Sequence, residues 1–371
     1  MHILLAPDSF KESLSAKQVA EALKKGFQEA LPDATFDLLP IGDGGEGTME
    51  TLARVLNVTE YQTQVTGPFG QPVLMSYYQK DEMAFFELAS LVGLGSIPAE
   101  KRNPLELETR GIGELILQLV DQGVKTICVG IGGSATNDGG IGMAAGLGVA
   151  FYDDQGHLLR PVGASLGRVA RIDTSAVPNA LQDIDLQVLT DVTNPLCGSQ
   201  GATYIFGGQK GLNPLLFPAV DQAMQGFYQL ADARILSMPG AGAGGGMAAG
   251  LVAFAGGQIS SGIEKSLDLI DFDHKVQKAD LVVVGEGRMD LQSLSGKAPV
   301  GVAKRTPEKI PVIAICGSLA EDLPAFPSHH IEAAFSIVPG PCEVADALAH
   351  AERNLISCAR NIGNLLKIKA N

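Results

Sequence analysis

The feature that most limits how this chain can fold is a recurring unit. A short, mostly apolar run ends in a turn, in most cases glycine-rich, and commonly gives way to a helical pattern. His2–Ala6 runs into Pro7-Asp8-Ser9-Phe10-Lys11, Phe36–Ile41 into Gly42-Asp-Gly-Gly-Glu-Gly-Thr48, and Thr126–Val129 into Gly130-Ile-Gly-Gly-Ser-Ala-Thr-Asn-Asp-Gly-Gly140. Near the end, Leu281–Val284 leads into Gly285-Glu-Gly-Arg-Met-Asp290 and Pro311–Cys316 into Gly317-Ser318. Unbroken apolar runs suit strands covered on both faces, and an intervening helix is the crossover that parallel pairing requires. The pattern predicts an α/β protein with an open parallel sheet.

The helical stretches carry their own signals. Ser15 with Gln18 three residues on is a capping-box spacing, and Val19, Leu23, Phe27 and Leu31 follow as an apolar stripe. Ile112, Leu115, Ile116 and Leu119 form a second stripe over Ile112–Gln122, and further helices are expected near Pro218–Ala231 and over Glu343–Lys367. Between Thr59 and Ala89 apolar and polar residues partly alternate around Gly67-Pro68 and Lys80-Asp81, which predicts antiparallel hairpins. Val149–Asp153 and His157–Arg160 flank Asp154-Gln155-Gly156 as another. The resulting expectation is two domains. Residues 1–58, 100–150 and 272–371 make a Rossmann-like parallel-sheet domain from both chain ends; residues 59–99 and 151–271 make a smaller inserted mixed α/β domain. The glycine loops gather at strand ends facing a cleft, where open α/β sheets bind ligands.

Composition narrows the function. Of 371 residues, 45 are glycine, and they collect at the ends of apolar runs, which points to loop chemistry. Forty-one acidic against 27 basic residues give a net charge of −14 with no Lys/Arg stripe, which argues against a nucleic-acid or anionic-membrane partner. Cys128, Cys197, Cys316, Cys342 and Cys358 are scattered without a Cys-x-x-Cys pair, so reduced thiols in a cytoplasmic protein are expected. The chain opens without a signal-peptide pattern, and no apolar stretch reaches membrane-spanning length. The six histidines lack metal spacing, and the residues fix no oligomeric state.

The loops offer phosphate chemistry. Consecutive glycines in Gly130–Gly140 turn backbone N–H groups into an anion-binding concavity, with Ser134, Thr136, Asn137 and Asp138 at the same strand end. Asp191 ends the run Leu186–Thr190 and opens Asp-Val-Thr-Asn-Pro-Leu-Cys-Gly198, a place from which a carboxylate can accept a hydroxyl proton. Lys297 follows Gly296 as a phosphate-binding lysine would, although Walker A spacing is absent, and Arg288 and Asp290 precede it. Lys11 lies at a helix start beyond Asp8 and Ser9, suited to a carboxylate or a transferring phosphoryl group. Asp43 and Glu46 sit among glycines as candidate Mg²⁺ ligands, alongside Asp138, Asp191 and Asp290. Each has a plainer reading: a tight turn for the glycines, a turn cap for Asp191, a solvated surface charge for the cations. A rival function also exists, because Gly130-x-Gly132-x-x-Ala135 after a strand, with Asp153 about 20 residues on, matches the dinucleotide fingerprint of a hydride-transfer enzyme. That fingerprint needs a helix directly at the loop, and Thr136-Asn-Asp-Gly-Gly140 is poor helix material. A binding or sensor protein without turnover is the third reading.

Taken together, Ala6–Lys11, Pro40-Ile-Gly-Asp-Gly-Gly-Glu-Gly47, Gly130–Gly140, Asp191-Val-Thr-Asn-Pro-Leu196, Gly285–Asp290 and Gly296-Lys297 closely resemble the bacterial glycerate kinase family that makes 2-phosphoglycerate. The likeness covers essentially the full chain in motif order. Glu12 stands where many members carry glycine, and Gly244 where alanine is common. The resemblance implies ATP- and Mg²⁺-dependent phosphorylation of D-glycerate, a two-domain fold with a cleft, and a place in glyoxylate, glucarate or galactarate breakdown. The expected mechanism is in-line transfer to the 2-hydroxyl, with Asp191, Lys297 and Lys11 catalytic; a 3-phosphorylating or related hydroxy-acid kinase is the near alternative. Substrate contacts are expected from Asp8, Ser9, Lys11, Asp43, Asn194, Arg288 and Asp290. ATP is expected on Gly132, Gly133, Ser134, Ala135, Thr136, Asn137, Gly242, Gly244 and Lys297, and Mg²⁺ on Asp138 and Asp191.

Overall fold

The computed structural model describes residues 1–42 and 47–370. The chain divides into two α/β units: Met1–Asp43, Glu50–Asn57 and Gly262–Asn371 form one, and Gly44–Met49 with Val58–Ser261 form the other.

In the first unit five strands make an all-parallel sheet in the order Ala333–Ser336, Val312–Cys316, Leu281–Gly285, His2–Pro7, Thr35–Leu38. Ile3, Leu5, Leu281, Val283 and Ile315 share a core with Val19, Leu23 and Phe27 of helix Ala16–Ala30 and Leu355 of helix Ala351–Ala370. The alternate residues Leu4, Ala6, Val282 and Val284 are equally buried, as strands covered on both faces require. The capping box forms: Ser15 Oγ accepts from Gln18 N at 3.3 Å, and Gln18 Oε1 accepts from Ser15 N at 2.9 Å. The C-terminal helical region is two helices, Val344–Ala349 and Ala351–Ala370, where one is expected. By strand order within the unit, 2-1-3-4-5, this is the flavodoxin-like arrangement of doubly wound sheets. Its switch point lies between His2–Pro7 and Leu281–Gly285.

The second unit is a mixed six-stranded sheet ordered Gln258–Ser260, Asp185–Leu189, Thr126–Gly130, Met83–Glu87, Pro72–Lys80, Thr59–Thr66. The first four run parallel; the last two add the expected antiparallel hairpins. Helix Arg110–Asp121 buries Ile112, Leu115, Ile116 and Leu119 against it. Because the parallel strands follow one another across the sheet, their carboxyl ends form one row: Glu87 pairs with Gly130, Gly130 with Leu189, and Leu189 with Ser260.

This topology corrects the expected boundaries. Residues 100–150 belong to the second unit, because Thr126–Gly130 pairs with Met83–Glu87 and Asp185–Leu189 and with no strand of the chain ends. The inserted unit is therefore the larger, and residues 262–271 fall in the first. A run buried on both faces fits either parallel sheet equally well; its neighbours are chosen by long-range packing. The expected hairpin after Val149 forms as a short one, with Asp153 N donating to His157 O at 3.0 Å and Leu159 N to Phe151 O at 2.8 Å, and Ala150–Tyr152 also pairs antiparallel with Arg171–Asp173.

Candidate active site

The row of carboxyl ends in the second unit presents the loop that follows Gly130. Leu94 N donates to Gly133 O at 2.8 Å and Ala135 N to Val92 O at 2.7 Å, so the loop is stitched to the segment beside it. Gly132 and Gly133 are half-buried, and Gly133 has φ +68°, which favours glycine. Among the described residues the N–H groups of Gly132, Gly133 and Ser134 donate to no protein acceptor. Successive unengaged amides at a strand end form an anion-binding concavity.

The side chains of this loop do not share that orientation. Ser134, Ala135, Thr136 and Asn137 are buried; Ser134 Oγ accepts from Lys210 Nζ at 3.1 Å, and Asn137 Nδ2 donates to Thr203 Oγ1 at 3.0 Å. The expectation that Ser134, Thr136 and Asn137 offer side-chain donors to a nucleotide is therefore corrected: they face protein, and the backbone of Gly132–Ser134 is what remains. Asn137 Oδ1 is buried without a hydrogen-bond partner.

Asp138 is likewise corrected as a Mg²⁺ ligand. It is fully buried; Thr109 Oγ1 donates to it at 2.7 Å, and Gly140 N and Gly142 N donate at 3.1 and 3.4 Å. Both oxygens thus fasten the start of helix Ile141–Gly146. Burial pushes its carboxyl above the ordinary range, against the pull of the Thr109 and Gly140 hydrogen bonds.

The Gly240–Gly246 loop braces the first. Gly139 N donates to Gly245 O at 3.0 Å, and Tyr228 Oη donates to Gly139 O at 2.6 Å. Gly244, Gly245 and Gly246 all have positive φ, and a Cβ on Gly245 would overlap the Thr136 carbonyl oxygen. Gly242 N donates to Asn194 O at 3.1 Å, so its amide is not available to a phosphate; Gly244, half-buried, packs near Leu88 and Ile131.

Lys210 was not visible in the sequence as a site residue. It is 3% exposed and donates to Ser134 Oγ at 3.1 Å and Thr136 O at 2.7 Å, beneath the Gly130 loop. Burial pushes its ammonium down to about 7, with the charge of Asp138 opposing. The only sequence signal is a lysine inside Gly207-Gly-Gln-Lys-Gly211, which reads as a surface turn.

Two residues past Leu189 in the same row stands Asp191, half-buried, its Oδ1 accepting from Ser261 Oγ at 2.8 Å. Asn194 Nδ2 donates to Gln200 O at 2.9 Å, which shapes the turn that follows. At the other end of the row Glu87 accepts from Gly47 N and Met49 N at 3.0 and 2.8 Å. Asp43 and Glu46 lie outside the described residues.

In the first unit the remaining candidates lie on the segments that follow the two strands flanking the switch point. Asp8 N donates to Gly285 O at 2.8 Å, while Asp8 Oδ1 accepts from Ser9 N at 2.6 Å. A Cβ on Gly287 would lie 3.4 Å from Lys11 N and Phe10 Cα, so the two switch-point loops are in close approach. Lys11 and Arg288 are exposed. Asp290 Oδ1 accepts from Gln292 N at 2.9 Å and Ser293 N at 3.1 Å, capping the next turn, and Lys297 is the half-buried N-cap residue of helix Ala298–Arg305. Glu12 has φ +63°, a backbone conformation that favours glycine.

The dinucleotide reading loses its support. Helix Ile141–Gly146 starts well after Ala135, and Asp153 caps a turn by accepting from Gln155 N and His157 N at 3.1 and 2.8 Å.

Comparison with known proteins decides the family. The family model described as "Glycerate kinase family" matches residues 3–367. This chain belongs to the glycerate kinase family. It is 56% identical to a glycerate kinase of Neisseria meningitidis serogroup B over 99% of both chains. It is 42% identical to the glycerate 2-kinase of Escherichia coli K12, over 99% of this chain and 98% of that one. A crystal structure from Salmonella typhimurium LT2 described as glycerate kinase 2 superposes with a TM-score of 0.85 at 40% identity, covering 100% of this chain and 99% of the other. The family match runs through both units, and so includes the Gly130 loop, Asp191 and the switch-point residues. Among the described residues no helix is long and apolar enough to cross a membrane, and all five cysteines are free.

Proposed function

We propose that this protein transfers the γ-phosphoryl group of ATP to the 2-hydroxyl of D-glycerate, giving 2-phosphoglycerate and ADP. The observation that carries the reading is the pairing, along one row of strand ends, of unengaged Gly132–Ser134 amides with a half-buried carboxylate, Asp191, held by Ser261. Amides of this kind bind phosphate oxygens and stabilise charge that develops during transfer. Asp191 orients the substrate hydroxyl and takes its proton as the new O–P bond forms and the bond to the ADP oxygen breaks. Lys11, Arg288 and Lys297 supply positive charge to the glycerate carboxylate and the transferring group.

Mg²⁺ fits this reading as the nucleotide's companion. Asp191 is an oxygen donor of the right chemistry, and Mg²⁺ at nucleotide sites usually takes only one or two carboxylates beside phosphate and water. Among the described residues no group of three or more His, Cys, Asp or Glu is arranged to hold a metal. When bound it neutralises charge on the β- and γ-phosphates.

The test is an ADP-release assay with D-glycerate, with and without Mg²⁺, followed by phosphorus NMR of the product. Glycerate-dependent ADP release and a 2-phosphoglycerate signal are expected. A 3-phosphoglycerate signal would move the acceptor hydroxyl, and glycerate binding without ADP release would make the protein a sensor.

A further inference from the structure

A charge buried under a glycine loop is unnecessary for packing alone. An unbranched apolar side chain would fill the space of Lys210 without desolvating an ammonium, which costs several kcal/mol unless well compensated. Compensation here is partial. Ser134 Oγ and the Thr136 carbonyl engage Lys210 directly, Asp138 acts through charge, and Asn137 Oδ1 in the same loop stays buried without a partner. An arrangement that stores this much uncompensated polarity in one loop is characteristic of sites shaped for a ligand.

We infer that Lys210 is a positioning residue for nucleotide binding: through Ser134 Oγ and the Thr136 carbonyl it pins the inner side of the Gly130–Gly140 loop, so that the Gly132–Ser134 amides are held ready for a phosphate. The ammonium touches no substrate. Its role is to hold the loop through these two hydrogen bonds. The inference rests on the reading of this loop as the seat of the ATP phosphates.

The experiment uses the full chain carrying Lys210→Met, with Ser134→Ala as a milder variant that removes one of the two acceptors. ADP release gives KM for ATP, KM for D-glycerate and kcat; thermal unfolding reports folding. For Lys210→Met the KM for ATP rises about tenfold or more, while kcat stays within about threefold and the glycerate KM within about twofold. The unfolding midpoint is not lowered. Ser134→Ala raises the ATP KM about threefold and decides the matter if the methionine variant does not fold. A lowered midpoint with both KM values raised together would make Lys210 a structural brace and overturn the inference. Gly132→Val separates the two levels. If it raises the ATP KM while both other variants leave it unchanged, the role of Lys210 falls and the loop assignment stands. If it too leaves the ATP KM unchanged, the loop assignment itself fails.

Discussion

Ser261 Oγ donates a 2.8 Å hydrogen bond to Asp191 Oδ1, joining the residue after one parallel strand to the residue two beyond its neighbour. The bond ties one carboxylate oxygen of Asp191 to the neighbouring strand end, the position from which the proposed mechanism has it act.

Replacing Asp191 with Asn keeps the shape and removes the base. The kcat of Asp191→Asn is expected to fall about 10²–10⁴-fold with ATP affinity nearly unchanged, since a general base contributes in that range. Steady-state kinetics and nucleotide titration check this; turnover above about half of normal would remove Asp191 from the mechanism.

Lys297 heads helix Ala298–Arg305. Lys297→Ala is expected to raise the ATP KM or cut kcat by about tenfold or more, as loss of a phosphate-binding cation does. Near-normal kinetics would return it to the protein surface.

Lys210 gives stability a defined pH dependence. Its proton is held to about 7 in the folded protein but to the ordinary 10.5 in the unfolded chain. Between those values the unfolded state binds more protons, so the Lys210 contribution rises with pH and is lost as pH falls through about 7. Urea unfolding of the natural protein and Lys210→Met at pH 6–10 isolates it. The difference in unfolding free energy should climb by roughly 1.4 kcal/mol per pH unit within the window. A flat difference would mean that Lys210 stays protonated throughout.

Gly245 has φ +73°, and a Cβ there would overlap the Thr136 carbonyl. Gly245→Ala is expected to destabilise by about 3 kcal/mol or more through backbone strain and displacement of the Gly130 loop. A urea midpoint close to that of the natural protein would show that the two loops separate easily.

Glu12 lies in the left-handed region at φ +63° and is exposed. Glu12→Gly relieves that strain, against the entropy glycine adds to the unfolded chain, and a net gain of about 0.5–1 kcal/mol is expected. Calorimetry showing a loss would mean that the Glu12 side chain makes a stabilising interaction that outweighs its backbone.

Much of the fold was legible because its signals are local. Ser15 and Gln18 announce a helix start within four residues, and the Ile112–Leu119 stripe specifies a buried helical face without reference to anything distant. The sheet to which Thr126–Gly130 belongs was not legible, since an apolar run carries no mark of its partner. The site was half legible for a related reason. A glycine that admits a ligand and a glycine that admits another loop, such as Gly245 against Thr136, need the same missing Cβ and look alike in sequence. Irregular loops also lack a period, so nothing local shows that Ser134 and Asn137 turn inward. Lys210 was hidden because lysine is almost never buried, and a lone one between glycines reads as solvent-facing.

The strand His2–Pro7 lies inside its sheet, flanked by Thr35–Leu38 and by Leu281–Gly285. During synthesis the first of these neighbours follows at once, but the second leaves the ribosome only after the whole Val58–Ser261 unit. At roughly 5–20 residues per second that delay is about a quarter of a minute to a minute. Most of the Val58–Ser261 sheet, through Asp185–Leu189, has been made well before then, whereas Ile3, Leu4 and Leu5 remain an open, sticky edge in the nascent chain. Biogenesis of this enzyme therefore favours late closure of the terminal unit, and conditions that slow elongation lengthen the time in which that edge is exposed to other chains.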